Sequence, residues 1–328
     1  MRVWAVPLLC GMVACGAREG RDSGSRDTTW TPGTSSASAV IRVVGWNVEG
    51  LGRVDSEEYE ATRDILLRLD AHVVALSEVD EGEGAALEQL ASELGYGWRF
   101  YPSENPFGGL RVALLARGRV IDSVKWTSSE LSGDPRANDV TRLPIEVHVE
   151  VGGAQVRVIG THLKSGYDED DNFRRAVDAV RVAQAAESGP DVPVSVVGDL
   201  NADLADGPAR PDPLTSVPSG LPSSYDLGED LAADLAGAGL RNTPFPVLEA
   251  AGLVVVDAAQ LDGRVATRDV SDRRIDYALV TAGIAVRAEV YDSRDDDGSG
   301  IARGSGLPDR DASAAASDHF AILAELTL

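Results

Sequence analysis

Cysteine is almost missing from this chain. Its 328 residues hold two, Cys10 and Cys15, both within the first fifteen positions, so no disulfide framework can brace the body. Aromatic residues make up 5 %, and no loop carries paired Trp or Phe at its tip, so a bilayer-inserting aromatic hairpin has no support. Past the N-terminus no apolar run reaches the roughly 18 residues of a membrane span. Positive charge is also short: 30 Lys and Arg face 53 Asp and Glu, a net charge of −23, and no basic run exceeds two residues. Such a surface repels polyanions at long range and argues against non-specific coating of nucleic acid. It leaves open an enzyme that meets one phosphate at a metal-bearing pocket. The 43 % hydrophobic content is ordinary for a globular chain and argues against disorder.

The first residues read as an address. Arg2 precedes a short apolar stretch from Val3 to Val13, and small residues lead to Cys15, which is signal-peptide grammar. Met12-Val13-Ala14-Cys15 resembles a bacterial lipobox, with Met12 where Leu is usual. Residues 1–14 are therefore expected to be removed, Cys15 to be lipidated, and the protein to be exported and membrane-anchored through that lipid; an ordinary secreted or periplasmic form is the alternative. Residues 15–39, rich in Gly, Ser, Thr and Asp, read as a flexible tether.

Residues 40–328 alternate strands and helices. Apolar, β-branched runs predict strands at 40–48, 72–77, 97–101, 110–116, 120–126, 143–151, 155–161, 192–197, 253–256, 275–280, 284–291 and 320–326. Helical spacing appears at 57–69, 85–94 and 172–187. Gly152-Gly153 reads as a hairpin turn, and residues 205–245, rich in Pro, Gly and Asp, as a loop insertion. Strands outnumber helices and hairpins mix with crossovers. That favours one α/β domain, a mixed-sheet sandwich with helices outside, over a doubly wound parallel sheet.

Polar clusters follow the apolar runs: Trp46-Asn47-Val48-Glu49, Ser77-Glu78-Val79-Asp80, Thr161-His162-Leu163-Lys164-Ser165, Gly198-Asp199-Leu200-Asn201 and Ser317-Asp318-His319, with Arg274-Ile275-Asp276 opening a strand. Hard oxygen ligands at several strand ends suit Mg²⁺ or Mn²⁺, with Ca²⁺ a further option, and two histidines without cysteine make a poor zinc site. Taken singly, Gly-Asp after a strand is more often a turn.

Together and in this order, from about Val43 to Phe320, the six clusters resemble the endonuclease/exonuclease/phosphatase superfamily, which is deoxyribonuclease I-like. The resemblance implies a four-layer α/β/β/α sandwich of two mixed sheets. It also implies a metal set of Glu78, Asn47, Asp318 and Glu49, with Glu49 standing where a shorter Asp is usual. Asp199 would be the general base and Asn201 its fixing partner. His162 would donate to a phosphate oxygen, and His319, held by Asp276, would contact the scissile phosphate. The implied activity is metal-dependent hydrolysis of a phosphodiester or phosphomonoester, foremost by a secreted or surface-anchored nuclease-like enzyme acting on DNA. A lipid-headgroup or inositol-phosphate esterase is the second reading. An inactive surface binding protein is the third, disfavoured because no member of the polar set is lost. A monomer without protein partners is expected.

The remaining charged stretches have plainer readings. Neither Asp168–Asp171 nor the run at 292–298 completes a calcium loop, and both are expected to be solvated. Arg174, Arg175 and Arg181 are expected to pair with the acids at 168–171 rather than to touch a phosphate chain. His72 and His148 are expected at the surface, as are Asp80 and Asp203.

Overall fold

The β-branched run that opens the body forms β1 (Val40–Asn47), buried on both faces except at its first residue, as expected for a central strand. The structure, a computed structural model, describes residues 38–206, 214–237, 240–241 and 243–328. The leader, Cys15 and most of the 15–39 stretch lie outside the described residues, as does part of 205–245.

After β1 come α1 (Glu57–Leu69), β2 (Val73–Val79), α2 (Gly84–Glu93), β3 (Arg99–Pro102), β4 (Arg111–Ala116), β5 (Arg119–Lys125), α3 (Ser128–Ser132), β6 (Ile145–Val151), β7 (Ala154–His162), α4 (Glu169–Glu187) and β8 (Val194–Asp199). The chain closes with α5 (Glu229–Ala236), α6 (Phe245–Ala250), β9 (Leu253–Val255), β10 (Asp276–Thr281), β11 (Ala285–Tyr291), α7 (Ala312–Ala316) and β12 (Ala321–Thr327). Caps fix the helix starts: Ser56 accepts from the Tyr59 amide and Asp168 from the Asp171 amide, each satisfying an orphan N–H of a first turn. The strands of the sequence reading appear within a few residues of their expected bounds. Helices α3, α5, α6 and α7 are too short to show a helical period in sequence.

Two six-stranded mixed sheets result, ordered β11-β12-β1-β2-β4-β3 and β5-β6-β7-β8-β10-β9. Between them lies a dry layer that includes Val43, Val73 and Leu114 from the first sheet and Val147, Val158 and Ala278 from the second. The outer face of the first sheet packs on α1, α2 and α7 through residues such as Trp46, Leu76, Ile65 and Leu87. The outer face of the second packs Ile159, Val196 and Tyr277 against Val182 of α4 and Phe245 of α6. This is the four-layer α/β/β/α sandwich of the deoxyribonuclease I-like fold.

Two parallel pairs set the site. Strand β1 runs beside β2 with Asn47 opposite Ser77, and β7 beside β8 with His162 opposite Asp199. Strand β10 enters antiparallel, with Asp276 opposite Asp199. Asn47, Glu78, His162, Asp199 and Asp276 therefore reach one edge of the sandwich. The sheets nearly touch there because glycines line the seam: a Cβ on Gly45 of β1 would stand 3.0 Å from the Val197 Cβ and 3.1 Å from the Gly198 nitrogen of β8, and one on Gly160 of β7 would stand 3.2 Å from the Ala75 Cβ of β2.

Several surface expectations change. Asp292 and Asp296 are buried in ion pairs rather than solvated, with Arg294 at 2.8 Å and Arg68 at 2.7 Å. Arg181 pairs with Asp139 and Asp230, and it is Lys164 that meets Asp171. His148 is buried against Gln155. His72 is half-buried and accepts the Arg42 amide through Nδ1, so burial and the nearby Arg117 hold its pKa down at about 4. For Arg68 with Asp296, Arg181 with Asp139 and Asp230, and Arg42 with His72 the partner is far away in sequence, so spacing gave no signal.

Gly45→Val is expected to cost about 1–3 kcal/mol by overpacking, read as a lower urea midpoint at unchanged slope. A neutral result would contradict the close approach of β1 and β8.

Candidate active site

The site forms where β1, β2, β7 and β8 end and β10 begins, and the local backbone is bent to aim its side chains. Strand β2 loses register with β4 between Leu76 and Val79, a bulge of the kind that redirects a side chain. Within it Glu78 takes φ +62°, a left-handed conformation uncommon for a residue with a Cβ. Asn201 does the same at φ +50°, and its amide donates to Asp199 Oδ1 at 2.7 Å.

Asn47 bridges the two sheets. Its Nδ2 donates to Glu78 Oε1 at 3.1 Å and to Asp199 Oδ2 at 3.0 Å, while its Oδ1 accepts the Glu49 amide. His162 Nε2 stands 3.6 Å from Glu78 Oε1 and 3.7 Å from Asp199 Oδ2. On the far side of Asp199, His319 Nδ1 meets Asp276 Oδ2 at 2.7 Å, and His319 Nε2 faces Asp318 Oδ1 at 3.4 Å. Asp199, Asp276, Asn47, His162 and His319 are all buried. Glu78, at 24 % side-chain exposure, is the member of the inner set that opens to solvent.

Burial divides the titrations. Asp199 is pushed up to about 7, first by desolvation and then by the charge of Asp276. Desolvation, followed by the Arg142 charge, drives His162 well below the ordinary imidazole range and keeps it neutral. Burial works against a proton on His319 as well, but Asp276, Asp199 and Asp318 outweigh it and lift that ring to about 9.

Two groups of ligand atoms lie within 4.8 Å of one another: Glu78, His162 and Asp199, and Asp199, Asp276 and His319. A divalent cation fits this chemistry. Both ring nitrogens of His162, Asp276 Oδ1 and Asp318 Oδ1 are buried without a hydrogen-bond partner, a costly state for polar atoms. Clustered carboxylates also repel one another unless a cation joins them.

Every residue read from the clusters falls at this edge, though not all in the same way. The Asn201 side chain donates to the Leu163 carbonyl, so only its backbone touches Asp199. Asp318 is engaged by Arg268 at 2.8 Å. Glu49 stays at the exposed rim, where its carboxylate accepts the Asp318 amide and lines a cavity of about 400 Å³ with Val48, Glu58, Asp269, Val270 and Asp318.

Other participants have no role implied by the resemblance. Thr267 Oγ1 accepts the amides of Ile275 and Asp276 and so sets the start of β10. Ser317 Oγ donates to the Asn47 carbonyl and accepts the His319 amide. Buried Asp178 of α4 accepts the amides of Thr141 and Lys164 and pins both loops beside the site. Between them Arg142 lies under the carbonyls of His162 and Leu163, at 3.5 and 3.4 Å.

The model of the Endonuclease/Exonuclease/phosphatase family matches residues 44–319. No curated protein matches the chain. Among solved structures, humanized TDP2 of D. rerio is 16 % identical over 88 % of this chain and 99 % of its own, with a TM-score of 0.53. D. rerio TDP2 complexed with single strand DNA product is 14 % identical over 88 % and 100 %, at 0.54. A family protein from Bacteroides thetaiotaomicron is 16 % identical over 89 % and 98 %, at 0.55. At these identities the likeness establishes the fold.

In EDTA-treated protein the His319 ring is expected to titrate near 9 in nitrogen-15 NMR, and Asp276→Asn to bring that value down. Because His319 binds its proton more tightly folded than unfolded, metal-free stability should fall as pH rises from about 6.5 to 9, with Asp199 adding to the fall only up to about pH 7. A His319 that titrates near 6.5 and ignores Asp276→Asn would contradict the pairing.

Proposed function

The chain belongs to the endonuclease/exonuclease/phosphatase family, and from that premise we propose that it is a divalent-cation-dependent phosphodiesterase of the nuclease-like kind. The observation that carries this reading is the cross-sheet cluster of buried carboxylates and imidazoles with unpartnered ligand atoms. Glu78, with Asn47 beside it, would hold Mg²⁺ or Mn²⁺. Asp318 and Glu49 complete the acidic set at the rim. Bound there, the cation supplies charge neutralisation at the phosphate, whose anionic oxygens otherwise repel a nucleophile.

The residues divide the remaining work. Asp199, lifted toward neutrality and oriented by the Asn47 side chain and the Asn201 amide, takes the proton of the attacking water. His162 is neutral and donates to a phosphate oxygen. His319 is protonated at neutral pH, is turned by Asp276, and meets the charge that grows on the phosphate in the transition state. The single strand DNA product in the D. rerio TDP2 structure supports a nucleic-acid phosphodiester over a lipid headgroup. The aromatic-poor loops point the same way.

The N-terminus extends the proposal to location: residues 1–14 act as a leader and Cys15 carries a lipid that anchors an exported enzyme. Cys15→Ser is expected to abolish metabolic labelling with a fatty acid, and labelling that persists would remove the anchor.

Plasmid DNA should be nicked with Mg²⁺ or Mn²⁺ and left intact with EDTA. Asp199→Asn and His319→Ala should each slow the reaction by about 10²-fold or more. Nicking that survives EDTA or Asp199→Asn would overturn the mechanism. Turnover of sphingomyelin or an inositol phosphate without DNA cleavage would replace the substrate.

A further inference from the structure

Nearly all charge pairing in this acidic protein serves its arginines, which makes the exceptions informative. Arg174, on the first half of α4, makes no hydrogen bond or ion pair with the described residues. Its guanidinium lies instead over two rings, 4.9 Å from the centroid of Phe107 and 5.7 Å from that of Tyr225. The rings are 6.1 Å apart and tilted by 30°, so the cation rests on an aromatic corner, an arrangement that holds a guanidinium without using its forked N–H donors.

The corner is built and stands beside the site. Phe107 sits on the β3–β4 loop, whose Asn105 side chain donates to the Leu110 carbonyl and accepts the Phe107 amide. The same loop receives the Leu143 amide on the Glu104 carbonyl, next to Arg142. Tyr225 comes from the 205–245 stretch, which pairs with Asn138 through the Asp226 backbone and the Ser224 carbonyl. Arg174 lies one turn before Asp178, the residue that pins the Thr141 and Lys164 amides. Arg142 feels the charges of Glu78, Asp199 and Arg174 together. Arg174 Nε, Arg142 Nε and the Tyr225 hydroxyl are buried without partners.

We propose that Arg174, clamped by Phe107 and Tyr225, is a specificity residue that binds a second phosphate of the substrate, next to the one that is hydrolysed. The proposal rests on the phosphodiesterase reading above and deepens it. A guanidinium fork with no carboxylate partner among the described residues is a local anion site, and its aromatic corner keeps it from collapsing onto a nearby carboxylate. Residues 224–226 gain a role as the support of that corner. The ligand chemistry is an anionic phosphate spaced from the scissile one, as found along a nucleic-acid strand or around an inositol polyphosphate ring.

The test compares substrates that differ by one phosphate: thymidine dinucleotide with and without a 5′-phosphate, and inositol trisphosphate against inositol monophosphate. Wild-type protein is expected to prefer the member with the additional phosphate. Arg174→Ala should cut that preference about tenfold or more, mainly through KM, and Tyr225→Ala should do the same without removing a charge. Arg99→Ala, an exposed arginine on β3, is the charge control. Which pair shows the effect identifies the source of the phosphate. Calorimetry of both dinucleotides with the Asp199→Asn protein, in that background with and without Arg174→Ala, reads the subsite independently of turnover. A wild-type enzyme that cleaves none of these esters would defeat the hydrolase reading, whereas equal calorimetric affinity with and without Arg174 would defeat the subsite. A preference left intact by Arg174→Ala, or an equal loss on both members of a pair, would likewise overturn it.

Discussion

The carboxamide of Asn47 holds the centre of this molecule together. It reaches from the first sheet to Glu78 on its own side and to Asp199 on the other, and the remaining site residues are placed relative to that bridge. The bridge relies on the close approach of the sheets at Gly45 and Gly160, where a Cβ would crowd the opposite sheet. Sequence acts here through what is missing, two Cβ atoms. Packing follows in the narrowed seam, and the convergence of five strand ends follows from packing.

The seam also explains why the acids are so deeply buried. Strand ends that meet between two sheets have little access to water, so Asp199 and Asp276 lose hydration and their mutual repulsion is poorly screened. The structure answers with one paired imidazole, His319, and one unpaired and neutral imidazole, His162. The two histidines thus acquire opposite titration behaviour, His162 chiefly from burial and His319 from the carboxylates that outweigh it. Elsewhere the net charge of −23 is handled locally: Arg294, Arg68 and Arg181 neutralise buried aspartates, while Arg142 and Arg174 beside the site have no carboxylate hydrogen-bonded to them.

Much of this was legible in the sequence, for identifiable reasons. Long β-branched runs announced the strands, and a polar cluster after each run announced the edge at which Asn47, Glu78, His162, Asp199 and His319 meet. Contacts made at long range were not legible. Nothing near Arg181 marks Asp139 as its partner, nothing in the 292–298 run marks Asp296 as buried against Arg68, and no motif attaches to Thr267, Asp178 or Arg142. The left-handed backbone of Glu78 was equally hidden, because it follows from a register slip against β4. The 205–245 stretch looked like plain loop, since α5 is short and Tyr225 acquires meaning only beside Phe107 and Arg174.

The central claim is that the buried cluster across the seam holds a divalent cation. Anomalous diffraction from crystals grown with Mn²⁺ measures this directly. The expected result is an anomalous peak about 2.0–2.6 Å from a Glu78 carboxylate oxygen, lost in Glu78→Gln crystals. A strongest peak on the 292–298 loop, with none at Glu78, would contradict it.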